Sequence, residues 1–281
     1  MSNTVDLTHL NIELLEVIGK GNFTKVYKAT NCRQIFSAKI YYDFYGDYNW
    51  VAMRCKHLLE NKHPNILNSH GSEKITGKVI AVFMEFADGE SLYNYIHGSG
   101  KYTRNNALNW MAQLAKGLAF LHDLKPSPIF HGNLKPQNLF LFENYSCLKI
   151  GDFASGGEVI SNCYTPPEAC PKTPRNFDKI GRLDQIHAYI LKSIKGCYTE
   201  KYDVYSFGII LWEVFTRRRP VFKYKREPLL TCIPNVGGSS NIKSLIARCS
   251  HDDRHRRPMM KNVVGDLIRI SICIKLFALT D

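Results

Sequence analysis

The chain has 281 residues, 44% of them hydrophobic and 22% charged, with a formal net charge of +12. That length suits one large domain or two small lobes with a buried core, and the composition excludes a disordered or fibrous chain. The basic residues are scattered, apart from small clusters at 217–219 and 254–257, and neither cluster contains an aromatic; nucleic acid is therefore not an expected partner, whereas an acidic ligand such as a nucleotide, or an acidic partner, is compatible with the charge.

Residues 11–18 are apolar and β-favouring and lead into Gly19-Lys20-Gly21-Asn22-Phe23-Thr24. Glycines there let a hairpin backbone approach phosphate oxygens without a Cβ in the way. A strand-like run, Val26-Tyr27-Lys28-Ala29, follows; a helix start would be needed for a dinucleotide fold. Residues 35–41 form a short apolar strand with one lysine, Lys39, which taken alone reads as an edge-strand lysine facing water. Residues 47–61 read as a helix through Val51, Leu58 and Leu59 and end at His63-Pro64-Asn65-Ile66. Residues 79–86 are a buried strand by their continuous apolar run, broken by Ala87-Asp88-Gly89. Residues 91–98 make a short helix. Residues 103–122 place Leu108, Met111, Leu114, Ala115, Leu118 and Leu121 at helical spacing, with Thr103 as N-cap.

The segment FHGNLKPQN, 130–138, comes next, and two short apolar runs at 139–142 and 148–150 flank a polar turn. Gly151-Asp152-Phe153-Ala154 and Pro166-Pro167-Glu168 follow. In 171–195, Phe177, Ile180, Leu183, Ile186, Ile190 and Ile194 recur at three or four, the pattern of an amphipathic helix that docks a partner or packs on its own lobe. YDVYSFGIILWEVFTRRRP, 202–220, reads as a core helix through Ile209, Ile210, Leu211 and Val214. The tail 267–279 is expected to be a last packed helix rather than a membrane-surface one. The nine cysteines form no C-x-x-C pair and no cluster of zinc spacing, so reduced thiols in a cytoplasmic protein are expected. Neither a secretory signal nor a run long enough to span a bilayer is visible.

These segments, in this order, resemble the motifs of protein kinases. FHGNLKPQN resembles the catalytic loop H-R-D-L-x-x-x-N, keeping His131, Lys135 and Asn138. Gly132 stands in place of its arginine, and Asn133 in place of the aspartate that accepts the substrate proton. The glycine hairpin resembles G-x-G-x-x-G-x-V, with Thr24 for the third glycine, where a Cβ stiffens the loop and crowds the phosphates. IFSAKIY resembles the V-A-I-K strand, Asp152-Phe153-Ala154 resembles D-F-G, and Pro166-Pro167-Glu168 resembles A-P-E. MEFADGESLYNYIHG resembles, more narrowly, the hinge of the transforming-growth-factor-β-activated group of MAP kinase kinase kinases.

The resemblance implies an α+β, bilobal protein-kinase-like domain over 11–281. It has a small, mostly β N-lobe at about 11–86, a hinge at about 85–89, a larger helical C-lobe at about 90–281, and an insert at about 171–195. It implies ATP binding by Gly19, Gly21, Val26, Ala38, Lys39, the gatekeeper Met84, the hinge residues Glu85 and Ala87, and Phe140. Mg²⁺ would be held by Asn138 and Asp152. His131 and Phe153 would join Leu58 and Asp203 in an apolar spine, Asp203 would anchor the catalytic loop, and Glu168 would pair with Arg257. Lys135 points to the serine/threonine class. Counted back from His63, the helix glutamate that should pair with Lys39 falls on Arg54, a cation that repels it. Ser161 and Thr165 are phosphorylatable, but Gly132 removes the arginine that would hold the phosphate, and Ala154 restricts the segment after Asp152. The function implied is a pseudokinase that binds ATP and Mg²⁺ and acts through signalling proteins of a MAP kinase pathway. The alternatives are a weakly active serine/threonine kinase and a docking protein that needs no nucleotide.

Overall fold

The computed structural model describes residues 5–21, 23–42, 44, 47–153, 163–169, 199–220 and 240–277, the side chains of 274–277 excepted. Ala154, Ser161 and the expected insert at 171–195 lie outside the described residues. The chain divides into two compact units, Met1–Asp88 and Gly89–Asp281.

The first unit is an antiparallel sheet with one helix. Its strands are β1 (Glu13–Lys20), β2 (Thr24–Thr30), β3 (Ile35–Tyr41), β4 (Ser69–Lys74) and β5 (Ile80–Glu85), in the order β1-β2-β3-β5-β4. Strand side chains alternate between faces, and β3 shows what that does here. Phe36, Ala38 and Ile40 join Leu7, Ala29 and Phe83 in one apolar cluster. Ser37, Lys39 and Tyr41 point to the opposite face. Lys39 is thus not on an edge: its strand is the middle one of five, and the residue is only 8% exposed. Helix α1 (Tyr48–Glu60) begins where the Asp47 side chain accepts from Asn49 N, satisfying an N–H that the helix itself cannot. Its inward stripe is Val51, Arg54, Cys55 and Leu58.

The second unit is mainly helical. It contains α2 (Leu92–His97), α3 (Arg104–Asp123), the hairpin of β6 (Leu139–Phe142) and β7 (Cys147–Ile150), α4 (Glu200–Thr216), α5 (Ser240–Cys249) and α6 (Met260–Phe277). A capping box starts α3: Thr103 and Asn106 each satisfy the other's backbone N–H. Leu108, Met111, Leu114, Leu118 and Leu121 then make the buried stripe that packs on α6, β7 and α4. Each such leucine contributes roughly 1.5–3 kcal/mol by leaving water. Helix α4 is buried on every side from Tyr202 to Val214, as a helix at the centre of its unit must be. Helix α6 packs through Val263, Leu267 and Ile270 and leaves Ile268 and Ile272 exposed. Among the described residues no helix is long and apolar enough to cross a membrane. The six described cysteines are thiols, and burial pushes that of Cys249 up to about 12. A five-stranded sheet unit followed by a helical one is the α+β kinase architecture that the motif order implied.

Candidate active site

The first unit carries a glycine hairpin, a buried lysine and a short linker. Gly19 sits on β1 opposite Val26, and Gly21 N donates to Thr24 O at 2.9 Å to close the turn. Thr24 opens β2 opposite Tyr41 and is buried. Val26 lies directly opposite Lys39, and Lys39 opposite Val82 of β5. Directly paired residues share a face, so Val26 and Lys39 belong together. Ala38 does not belong with them. It pairs with Tyr27 and Phe83 and faces the apolar cluster; the expectation that Ala38 walls a nucleotide is corrected on that ground.

The residue on the Lys39 face is Ser37, opposite Met84. Its Oγ donates to Met84 O at 3.2 Å and to Glu85 O at 3.1 Å. Glu85 is fixed from its other side, its Oε2 accepting from Asn68 N at 3.1 Å and Asn68 Nδ2 at 3.0 Å. Ala87 follows in the irregular stretch before Gly89, half-buried. Lys39 Nζ lies 4.9 Å from the centre of the Tyr41 ring. Arg54 is 6% exposed on the inward stripe of α1, its guanidinium 4.4 Å from the Trp50 ring centre one turn earlier. The first unit thus buries two cations against aromatic faces, contacts worth about 0.5–2 kcal/mol each. Glu60 is exposed at the end of α1, off that buried stripe.

In the second unit, Asp203 of α4 organises the catalytic-loop segment. Its fully buried carboxylate accepts from His131 N at 2.8 Å, Gly132 N at 2.9 Å and His122 Nε2 at 2.9 Å. Burial raises its pKa, but the His122 hydrogen bond, the charges of His122 and His131 and the Gly132 N–H more than offset that, and the net shift is downward. His131 Nδ1 accepts from Asn133 N at 3.2 Å, so Nε2 carries the proton and donates to Gly151 O at 2.8 Å. The His131 ring also meets the buried Phe153 ring, centroids 5.1 Å apart. Asn138 Nδ2 donates to Asn133 O at 2.8 Å, and Asn138 O accepts from Gly151 N at 2.9 Å. With its amide nitrogen so committed, Asn138 keeps Oδ1 as an acceptor, the atom a hard cation needs. Asp152, next to Gly151, has φ 64. A non-glycine in that region is strained, and here it carries the second candidate Mg²⁺ ligand. Lys135 and Asn133 are half-buried in the same segment as Asn138, and Phe140 lies on β6 opposite Lys149.

Gly132 has φ 74. The glycine therefore does more than remove an arginine: it occupies without penalty a backbone conformation that costs other L-residues roughly 1–2 kcal/mol. Gly132→Ala is expected to lower stability by about 1–2 kcal/mol in urea unfolding, and Gly132→Asn by less, because asparagine tolerates this region. Equal losses for both would show that side-chain crowding, not φ, sets the cost.

Two further anchors hold residues 163–169. Glu168 receives Arg257 Nη1 at 2.6 Å and Nη2 at 2.8 Å, a two-point pair with the arginine wholly buried. Glu213, which the sequence did not single out, accepts from Tyr164 Oη at 2.6 Å and contacts His97 Nε2 at 2.7 Å. Burial drives the Glu213 pKa above the usual carboxylate range in spite of those hydrogen bonds. Ser206 Oγ adds a bond to Tyr164 O at 2.9 Å. Thr165 is buried.

The family model for the protein kinase domain matches residues 12–267. The chain is 31% identical over 269 residues to mitogen-activated protein kinase kinase kinase 7 of Drosophila melanogaster, covering 90% of this chain and 36% of that protein. It is 30% identical to the Homo sapiens protein of the same name, covering 93% and 42%. A putative mitogen-activated protein kinase kinase kinase 7-like protein of Drosophila melanogaster is 33% identical, at 88% and 63% coverage. The chain thus spans less than two thirds of the length of each of these relatives.

Proposed function

The chain belongs to the protein kinase family, and on that premise we propose that it is a MAP kinase kinase kinase-like signalling protein that binds ATP with Mg²⁺ but is impaired in phosphoryl transfer, a pseudokinase. The observation that carries this reading is Asn133. It sits in a loop held by Asp203, His131 and Asn138, so the frame for chemistry is intact while the group at the proton-accepting position is an amide. An amide can orient a substrate hydroxyl through its oxygen but does not take its proton at neutral pH. Arg54, buried on the inward stripe of α1, adds a cation where a kinase places the carboxylate that steadies Lys39.

The binding set is better kept. Gly19, Gly21, Val26, Lys39, Met84, Glu85 and Ala87 of the first unit and Phe140 of the second would hold the nucleotide, with Ser37 added and Ala38 removed. Lys39 would grip the α- and β-phosphates. Mg²⁺ held by Asn138 and Asp152 would neutralise charge on the phosphate oxygens. The relatives' names support, as part of this proposal, partners in a MAP kinase cascade; a cytoplasmic location belongs to the same reading. A second reading, a weak serine/threonine kinase, has its own support. Lys135 is present, and phosphoryl transfer depends mostly on positioning and charge, which an asparagine does not abolish.

Thermal unfolding with MgATP and a phosphotransfer assay, both run beside Lys39→Met, separate these readings. At about 100-fold excess over Kd, ligand adds ~2.7 kcal/mol, a rise of several degrees for a chain of this size. The expected result is that rise, lost in Lys39→Met, with no transfer to an acceptor protein. Robust turnover that vanishes in Lys39→Met would establish the second reading. An absent shift with absent turnover would make the chain a nucleotide-independent docking protein.

A further inference from the structure

Helix α1 covers one face of the first unit's sheet, and its hydrogen bonds identify that face. The Cys55 thiol bonds to the side chains of Ser69 and Ser72 on β4, and Tyr48 Oη donates to Ser72 O at 3.3 Å. Ser69 pairs with Met84 of β5, and Ser72 with Val82. Met84 and Val82 pair in turn with Ser37 and Lys39 of β3. Directly paired residues share a face, so α1 lies over the face that carries Lys39.

Two cations are therefore buried on one face. Arg54 precedes Cys55 on the inward stripe of α1 and, like Lys39, is buried. On that face the described strands β2 to β5 present Lys28, Lys39 and Lys74 and no carboxylate. Ser72 and Lys39 stand two strand spacings apart, roughly 10 Å, a gap that side chains as long as arginine and lysine span between them. Burying charge is costly, and like charges in one layer add repulsion to that cost; a polyanion relieves both. The Trp50 ring attracts the Arg54 guanidinium, 4.4 Å from its centre, through charge rather than through an acceptor atom. The planar fork of N–H donors matches phosphate oxygens as the point charge of a lysine does not.

We propose that Arg54 is a second phosphate-binding cation beside Lys39, and that this chain therefore holds a nucleoside triphosphate without requiring a divalent metal. This role rests on the nucleotide-binding reading and adds to it. Where a kinase places a carboxylate on this helix, the charge of the triphosphate is met by the strand lysine and Mg²⁺. Here the helix adds a positive charge from the first unit alone. Mg²⁺ then strengthens binding instead of enabling it. The substitution that impairs transfer is thus the one that retains nucleotide.

Isothermal titration calorimetry of the full chain with ATP and with adenosine, each in Mg²⁺ and in EDTA, tests this beside Arg54→Gln and Arg54→Lys. Wild type is expected to bind ATP in EDTA within about tenfold of its affinity in Mg²⁺. Arg54→Gln should weaken ATP in EDTA by about tenfold or more, the worth of one hydrogen bond to a charged group, and leave adenosine unchanged. Arg54→Lys should recover part of that loss. The wild type supplies a readout that a misfolded variant does not confuse: the Arg54 Nε–H resonance should move with ATP in EDTA and stay in place with adenosine. No ATP binding in either buffer overturns this role and the nucleotide reading together. ATP binding that Arg54→Gln leaves intact, an equal loss for adenosine, or an unmoved Arg54 resonance overturns the role and leaves the nucleotide reading standing. ATP binding that appears only with Mg²⁺ overturns the metal independence.

Discussion

Asn133→Asp is expected to raise phosphoryl transfer by about 10²–10⁴-fold, the usual worth of a positioned general base, and still to leave the chain below the roughly 1–100 s⁻¹ of a typical kinase. The first half follows from the loop geometry. His131, Asp203, Asn138 and Gly151 hold the backbone on both sides of position 133. An aspartate there inherits a fixed frame and needs no rearrangement to meet a hydroxyl. The second half follows from Arg54. A kinase needs its strand lysine paired with a helix carboxylate; here that stripe presents a guanidinium, 6% exposed and stacked on Trp50. Arg54→Glu alone should do little, because no proton acceptor is present. Asn133→Asp with Arg54→Glu should exceed the product of the two single effects, since the groups serve one step and do not act independently. Phosphate incorporation from labelled ATP into casein, with melting curves for every variant, measures the cycle. Full activity from Asn133→Asp alone would sink the role given to Arg54. Wild-type turnover within a few-fold of Asn133→Asp would sink the role given to Asn133.

Motif order in the sequence was enough to place the fold, because each motif sits at an element boundary that composition also marks. Thr103 shows it best: a capping residue before a run of leucines at three and four became the start of α3, with Asn106 closing the box. Counting back from His63 along a helix led to Arg54, and that residue lies on the buried stripe of α1. Ala38 was misread because the strand was taken as a string of letters rather than as two faces. The alternation of Phe36, Ala38 and Ile40 against Ser37 and Lys39 was available in the sequence and points to Ser37. Gly132 was read as a missing arginine, and its φ of 74 had no local sign beyond the glycine itself. The Tyr164–Glu213–His97 contacts join residues up to 116 apart in the chain; a single sequence carries no signal for such pairs.

Asp203→Ala is expected to cost about 3–5 kcal/mol of stability, the largest loss of any single change considered. Removing one partner of a buried, hydrogen-bonded charge is expensive because the other partners stay behind. Here those partners are two backbone N–H groups and the His122 N–H, and each buried donor left without an acceptor costs about 1–3 kcal/mol. At roughly 2–4 °C per kcal/mol for a chain of this size, the melting temperature should fall by about 10 °C. Asp203→Asn keeps one acceptor oxygen and should lose less.

The same carboxylate sets an acid limb with a definite sign. Its pKa is lowered in the fold, burial being outweighed by His122, His131 and the Gly132 N–H. Its contribution is therefore complete above the unfolded value of about 3.9 and is lost as pH falls below it, through the folded value. Asp203→Asn should flatten that acid limb. Hydrogen exchange adds the local readout: the His131 and Gly132 amides should lose protection in Asp203→Ala before the α3 core does. A loss below about 1 kcal/mol in Asp203→Ala would mean that water replaces the carboxylate at those amides. In that case the loop is held by its own turns rather than by Asp203.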